Sequence, residues 1–158
     1  MLPSLAAASR KGYTMSDICV RYMGADGIEV KAVSKDMLQK IESLDFNDSP
    51  GQARVSINIG KNIIERLDGF CKITVKDKSR KSGLKSDIES VVASRPFGKY
   101  MSINDKSNGN QSIQVYTDLS RHTISQLVIV IENADAYTVL YMNGEISPET
   151  LESLVRFR

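Results

Sequence analysis

The spacing of apolar residues along the chain predicts its helices. A capping-box pattern, Thr14-x-x-Asp17, opens the first helix, and Ser34 can cap a second. The apolar residues that recur at helical spacing in these two are Met15, Ile18, Cys19 and Tyr22, and then Met37, Leu38, Ile41 and Leu44. Similar spacing predicts helices over 57–68, from Leu84 to Arg95-Pro96, and after Ser147-Pro148-Glu149, the last with Leu151, Leu154 and Val155 buried.

Alternation of apolar and polar residues predicts the strands. It occurs at 27–33 and at 70–76, where Cys71 shares the inward parity of its apolar neighbours. Two hairpins follow, 99–105 with 111–118 and 123–131 with 137–142. We expect Ile103 to pair with Ile113 across an odd-length turn with a bulge, because a shift of one residue would turn Ile113 to the other face.

The segment 124–131 is apolar at both strand parities. Ile124, Val128 and Val130 share one parity, and Leu127, Ile129 and Ile131 share the other. A half-solvated strand would alternate, so this strand is predicted to be central and covered on both sides. Together the elements predict an α+β fold, with a mainly antiparallel sheet of about six strands and helices packed on one face. No linker interrupts 10–158, which we interpret as a single α+β domain.

Residues 1–9 are interpreted separately. Ala6 and Ala8, followed by Ser9, fit the A-x-A pattern that signal peptidase recognises, although the usual basic and long apolar segments are missing before it. We interpret 1–9 as the remnant of a signal peptide, with a disordered N-terminus as the alternative. This interpretation predicts an exported protein of the periplasm or cell envelope.

Composition narrows the possible partners and cofactors. The chain has 158 residues and a formal net charge of +2, which does not fit a strongly basic nucleic-acid binder. Its longest apolar run, 127–131, is far shorter than the roughly 20 residues of a transmembrane helix. One histidine and two cysteines cannot supply the usual zinc ligands, and no calcium or phosphate loop occurs, so no cofactor or metal is predicted.

The two cysteines, Cys19 and Cys71, lie 52 positions apart and form no C-x-x-C unit. In an exported protein they could form a disulfide, whereas in a reducing compartment both would be small core residues. Both lie within core-like patterns, which favours two unbonded thiols.

His122 is the candidate catalytic base, with Ser120 or Ser125 as the nearby nucleophile. It lies between two predicted strands and outside any G-x-S-x-G or comparable context, which is typical of an exposed turn histidine. We therefore predict that the chain is not an enzyme, and a small hydrolase that uses His122 is the least favoured alternative.

Two groups of residues could contact a partner. The segment 72–85 has a local charge of +5, from Lys72, Lys76, Lys78, Arg80, Lys81 and Lys85 against Asp77. These residues could bind lipid or lipopolysaccharide phosphates, or they could be a solvated strand end and loop. The strand tyrosines Tyr116, Tyr137 and Tyr141 could form a partner face if they share an exposed surface, and otherwise they pack across strands.

A series of motifs runs along the chain: Val33-Ser-Lys-Asp-Met37, a helix and strand over 63–75, Phe97-Gly-Lys-Tyr100, Leu127-Val-Ile-Val-Ile131, and Tyr141-Met-Asn-Gly-Glu-Ile-Ser-Pro-Glu149. Their order and spacing resemble those of a family of small exported proteins of Bacteroidota that is catalogued only as a domain of unknown function. The similarity covers about residues 15–155.

The resemblance implies a signal peptide, in some members of the lipoprotein type, and genes that often lie near extracytoplasmic-function sigma factors. It implies no catalytic residue, and this chain lacks the lipobox cysteine that would anchor a lipid. We therefore expect an exported cell-envelope protein of unknown function, in the simplest case a non-enzymatic binding or accessory module. Its partner would be an envelope protein or an anionic envelope surface.

Overall fold

A computed structural model of the chain describes residues 14–40, 43–45, 55–94, 97–105, 111–118, 123–134, 136–149, 151 and 155–157. The strands, in chain order, are β1 (Ile28–Ser34), β2 (Ser43–Asp45), β3 (Val55–Gly60), β4 (Leu67–Val75), β5 (Phe97–Asp105), β6 (Gln111–Asp118), β7 (Ile124–Glu132), β8 (Tyr137–Ile146) and β9 (Val155–Phe157). The helices are α1 (Met15–Tyr22), α2 (Lys35–Leu38), α3 (Lys61–Ile64) and α4 (Lys81–Val92), and a 3-10 turn (Lys78–Arg80) precedes α4.

Six of the strands form one antiparallel sheet in the order β1-β4-β8-β7-β6-β5. This confirms the predicted α+β class and the mainly antiparallel sheet of six strands. A second, three-stranded sheet pairs β2 with β3 and β3 with β9. The sequence did not predict this second sheet, because its strands are short and come from distant parts of the chain.

The six-stranded sheet has an apolar core on each face. On the first face, α1 and α4 cover residues such as Ile73, Val128 and Val139. On the second face, Ile129 and Leu140 belong to a cluster that also contains Leu38 of α2, Ile64 of α3 and Leu151. The two longest helices thus lie on one face, as predicted, while shorter elements contribute to the other.

Strand β7 is central, as its two-sided apolar pattern predicts. It pairs with β6 on one side and β8 on the other. Val128 belongs to the first core and Ile129 to the second, and both side chains are 0% exposed. The chain itself therefore covers both faces of this strand.

Several local predictions are confirmed. The Thr14 hydroxyl accepts from the Asp17 N–H at 3.2 Å, and the Asp17 carboxylate accepts from the Thr14 N–H at 2.8 Å, which completes the capping box of α1. Ser34 caps α2. In the first hairpin Ile103 pairs with Ile113, and five residues connect Asp105 to Gln111, although the bulge lies further along β5, between Lys99 and Met101.

Three helix predictions are wrong in part. The segment 57–68 is divided among β3, α3 and the start of β4, because its apolar residues serve two strands of different sheets. The helix after Ser34 ends at Leu38, so Met37 is exposed and Leu44 lies in β2. Val155 begins β9 instead of ending the last helix, because it pairs with Ile57.

Among the described residues, no helix is both long enough and apolar enough to cross a membrane. The interpretation of 1–9 as a signal-peptide remnant concerns residues outside the described ranges.

Candidate functional site

The predicted tyrosine face does not form a surface. Tyr137 and Tyr141 are 1% and 7% exposed and lie in the core between the sheet and the helices α1 and α4. Tyr116 is half-buried beside the same core, with the Lys99 ammonium 5.8 Å from its ring centroid. Burial raises the pKa of all three phenols. Tyr137 and Tyr141 therefore belong to the core and do not form an exposed face with Tyr116.

The basic segment 72–85 is partly neutralised within the fold. Lys81 and Lys85 both bind the Glu132 carboxylate, at 2.8 and 3.1 Å, and Lys81 also donates to the Asn133 carbonyl at 3.2 Å. Burial pushes the pKa of Glu132 up, but the hydrogen bonds from these two lysines outweigh burial and hold that pKa below its usual range. Lys76 lies 3.7 Å from Glu29.

The remaining members of the segment lie in different settings. Lys72 is half-buried on β4, whereas Lys78 and Arg80 are exposed in the 3-10 turn. The structure therefore does not bring the six basic residues together as one continuous basic surface.

The residues around the predicted hydrolase site have structural partners. The Ser125 hydroxyl donates to the Asp118 carboxylate, which also accepts from the Ser125 N–H at 2.9 Å and the Gln126 N–H at 3.3 Å. Asp118 thus holds the start of β7 in place. His122 and Ser120 lie outside the described residues.

A cleft of about 390 Å³ lies between α1 and the sheet, beside the connection from β1 to α2. Its floor is the helix-side face of three neighbouring strands. The pairing places Ala32, Cys71 and Tyr141 side by side in one row across β1, β4 and β8. Ser34, Gly69 and Asn143 form the next row, two residues along each strand.

Small residues leave this floor unfilled. Ala32, Ser34 and Gly69 have little or no side chain to fill the space above the sheet, and Ala32 and Ser34 are exposed. A Cβ atom on Gly69 would lie 2.9 Å from the Asn143 side-chain oxygen, so glycine allows Asn143 to extend over the floor. The cleft is therefore a consequence of residue size at three paired positions.

The rim of the cleft is apolar. Among the residues whose side chains the structure describes, which leaves out 43–45, 55–60, 62 and 155–157, three large apolar side chains are exposed: Val20 at 68%, Met23 at 49% and Met37 at 55%. All three line this cleft. Val20 lies on α1 outside its buried stripe, Met23 directly follows the end of α1, and Met37 lies on α2. Clustering of exposed apolar side chains at one concave site is typical of a binding surface.

Polar groups lie toward one side of the floor. Ser34 and Asn143 belong to the outer row, and Asp68 also lines the cleft there. The Asp68 carboxylate accepts a hydrogen bond from the Lys35 ammonium at 3.2 Å. The cleft therefore has an apolar side under α1 and a polar side near the start of α2.

Both cysteines of the chain lie at the base of the cleft. Cys19 on α1 and Cys71 on β4 are each 5% exposed, and no disulfide joins them in this structure. The interaction with the other thiol lowers the pKa of Cys19 and raises that of Cys71, and burial adds to the rise at Cys71. The inward register predicted for Cys71 is confirmed.

Sequence reasoning missed the cleft because its residues come from five elements. Met37 had been predicted to be buried, and Val20 and Met23 had received no role. The signal that was present is the two apolar residues Val20, on α1, and Met23, directly after α1, which both fall outside the buried stripe of the helix.

Comparison with known proteins gives one match. The model of a family described as domain of unknown function (DUF4252) matches residues 22–154. This stretch includes the strands of the cleft floor together with Met23 and Met37, whereas Cys19 and Val20 precede it. No curated protein matches the chain, and no solved structure matches it.

Proposed function

We propose that this chain, which belongs to the DUF4252 family of domains of unknown function, is a non-enzymatic binding module whose ligand occupies the cleft between α1 and the sheet. One observation carries the proposal: the three large apolar side chains that are exposed among the described residues, Val20, Met23 and Met37, all border this cleft. Its volume also falls within the range of small-molecule sites, roughly 300 to 1,000 Å³.

The layout of the cleft favours an amphiphilic ligand with an aliphatic chain and a polar end. The aliphatic chain would lie over Ala32 and against Val20 and Met23, where methionine can adapt to ligands of different shape. The polar end would lie over Ser34 and Asn143, which offer a hydroxyl and an amide for hydrogen bonding. The hydroxyl and the amide can orient a bound ligand through hydrogen bonds, so we assign the cleft a binding role.

We further propose that the protein acts in the cell envelope after export. The A-x-A pattern at Ala6 and Ala8 and the resemblance to exported proteins support this location. Fractionation of cells that express the tagged native gene should place the protein in the periplasmic or envelope fraction. Recovery with the cytosolic enzymes would refute the location without affecting the cleft.

The binding proposal is tested by filling the cleft. Ala32→Leu adds three carbons to the floor, and Met37→Gln makes the rim polar. Titration with a fluorescent fatty acid should show at least about a tenfold loss of affinity for Ala32→Leu, which corresponds to 1.4 kcal/mol. Met37→Gln should show a smaller loss, because it keeps the shape of the rim.

The matched control is Ala134→Leu, the same substitution at an exposed position in the turn between β7 and β8. It should bind the probe like the unmodified protein. Equal affinity of all three variants, with folding verified by circular dichroism, would show that the probe binds elsewhere and would refute the cleft as the site.

A further inference from the structure

The two cysteines, which are 52 positions apart in the chain, meet where α1 packs on the sheet. Cys19 lies on the buried stripe of α1, one helical turn after Met15. Cys71 lies on β4, between Ala32 of β1 and Tyr141 of β8. The contact therefore joins the N-terminal helix to an inner strand of the six-stranded sheet.

The cleft gives small reagents a route to this pair. Both sulfur-bearing residues line the cleft, and the neighbouring residue on β1, Ala32, is exposed and carries only a methyl group. The two residues also belong to the same apolar core, and each thiol shifts the pKa of the other. Disulfide closure would bring the two sulfur atoms to the bond length of about 2 Å.

We propose that Cys19 and Cys71 close into a disulfide when the protein meets a small disulfide oxidant, and that this bond fixes α1 to β4 across the floor of the cleft. The inference rests on the contact between the two thiols and does not depend on the ligand of the cleft. Cys19 and Cys71 would then act as a redox-controlled crosslink in addition to filling the core.

The reaction is a balanced thiol–disulfide exchange. The Cys19 thiolate attacks one sulfur of the oxidant, the other sulfur leaves with its half of the oxidant as a thiolate, and a mixed disulfide forms on Cys19. The Cys71 sulfur then attacks Cys19 and expels the second half of the oxidant as a thiolate. The two protons of the cysteines pass to the two leaving thiolates, and the oxidant takes up two electrons. The same disulfide forms if Cys71 attacks first.

The crosslink should raise the melting temperature. Its loop of 52 residues restricts the unfolded chain, and in a protein of this size the expected rise is roughly 10 °C. It also fixes the α1 wall of the cleft, which is otherwise held on the sheet by apolar contacts such as those of Ile18 and Met15.

The test equilibrates the reduced protein with mixtures of reduced and oxidised glutathione. After quenching with an alkylating reagent in denaturant, mass spectrometry should show the doubly alkylated form giving way to an unalkylated form that is two hydrogen atoms lighter than the reduced, unalkylated chain. This form should melt roughly 10 °C higher by calorimetry, and a reductant should reverse both changes. Cys19→Ala and Cys71→Ala should show no rise in melting temperature in the same buffers.

The comparison of oxidised and reduced unmodified protein needs no variant, so it still decides the question if an alanine variant fails to fold. Three results would overturn the proposal. The first is that both cysteines are still alkylated by the quench after incubation in the most oxidising buffer, which would mean that no disulfide formed. The second is that glutathione remains attached to one cysteine without closure. The third is that the closed form melts no higher than the reduced form.

Discussion

At the scale of single residues, Glu132 explains much of the charge pattern in the basic segment. Its carboxylate, 21% exposed at the end of β7, binds Lys81 and Lys85 of α4. The pair of contacts ties the helix to the hairpin between β7 and β8. Two lysines that suggested an anion-binding surface therefore serve to hold α4 against the sheet.

Glu132→Gln should lower the free energy of unfolding by about 1–2 kcal/mol at pH 7, because charge-assisted hydrogen bonds are lost in a half-buried setting. The folded-state pKa of Glu132 is depressed, so its contribution is present above the unfolded value of about 4.3 and is lost as the pH falls through the folded value. Urea unfolding should therefore separate variant and parent at pH 7 and bring them together near pH 3.

The control for this prediction is Glu29→Gln, which removes an exposed carboxylate 3.7 Å from Lys76. Exposed pairs contribute little, so this variant should lose no more than about 0.5 kcal/mol. Equal losses at both positions would contradict the role given to Glu132.

At the scale of elements, the junction of β4 with β8 depends on one glycine. The register shifts between Leu67 and Gly69, opposite Gly144, and the Glu145 N–H donates to the Arg66 carbonyl at 2.9 Å. Gly144 has φ +151°, and a Cβ there would lie 2.3 Å from the Arg66 carbonyl oxygen and 2.6 Å from the Leu67 Cα. The backbones approach too closely at this point for any side chain.

Gly144→Ala should therefore lower the free energy of unfolding by about 3 kcal/mol, since both strain and a backbone clash oppose it. Gly24→Ala is the matched control: its φ is +78°, but nothing lies within 4 Å of the added Cβ. It should cost only about 1 kcal/mol. Urea unfolding of the two variants measures the difference in free energy of unfolding. Similar losses would mean that the close approach of the β4 and β8 backbones does not add to the cost of the alanine at Gly144.

The elements that sequence reasoning predicted best are those whose partners are local. The capping box of α1 and the hairpin that pairs Ile103 with Ile113 both follow from residues close in the chain. The segment 57–68 was misassigned because Ile57 pairs with Val155, far along the chain, and apolar spacing cannot show such a partner. The cleft escaped detection for a similar reason, since only strand pairing brings Ala32 beside Cys71 and Tyr141.

At the scale of the whole molecule, the two apolar cores share the central strand β7. From Leu127 to Ile131 its residues alternate between the core under α1 and α4 and the core that contains Leu38 and Ile64. Ile124 was predicted to share the face of Val128, but a register shift between Ile124 and Gln126 places it in the second core. Both cores are assembled from N-terminal and C-terminal parts of the chain. Loss of either core should therefore remove support from the same strand, and the described sheet should unfold as one unit.

Val128→Asp and Ile129→Asp test this coupling, because each places a carboxylate in one core and leaves the other unchanged. Both positions are 0% exposed, and an unpaired buried charge costs several kcal/mol, comparable with the whole stability of a domain, about 5–15 kcal/mol. We expect both variants to lose the cooperative thermal transition. Ser102→Asp, at an exposed position on the edge strand β5, should keep it. If Ile129→Asp alone kept a cooperative melt, the second face would tolerate a charge, and its apolar residues would then have to be explained by a partner instead of by the fold.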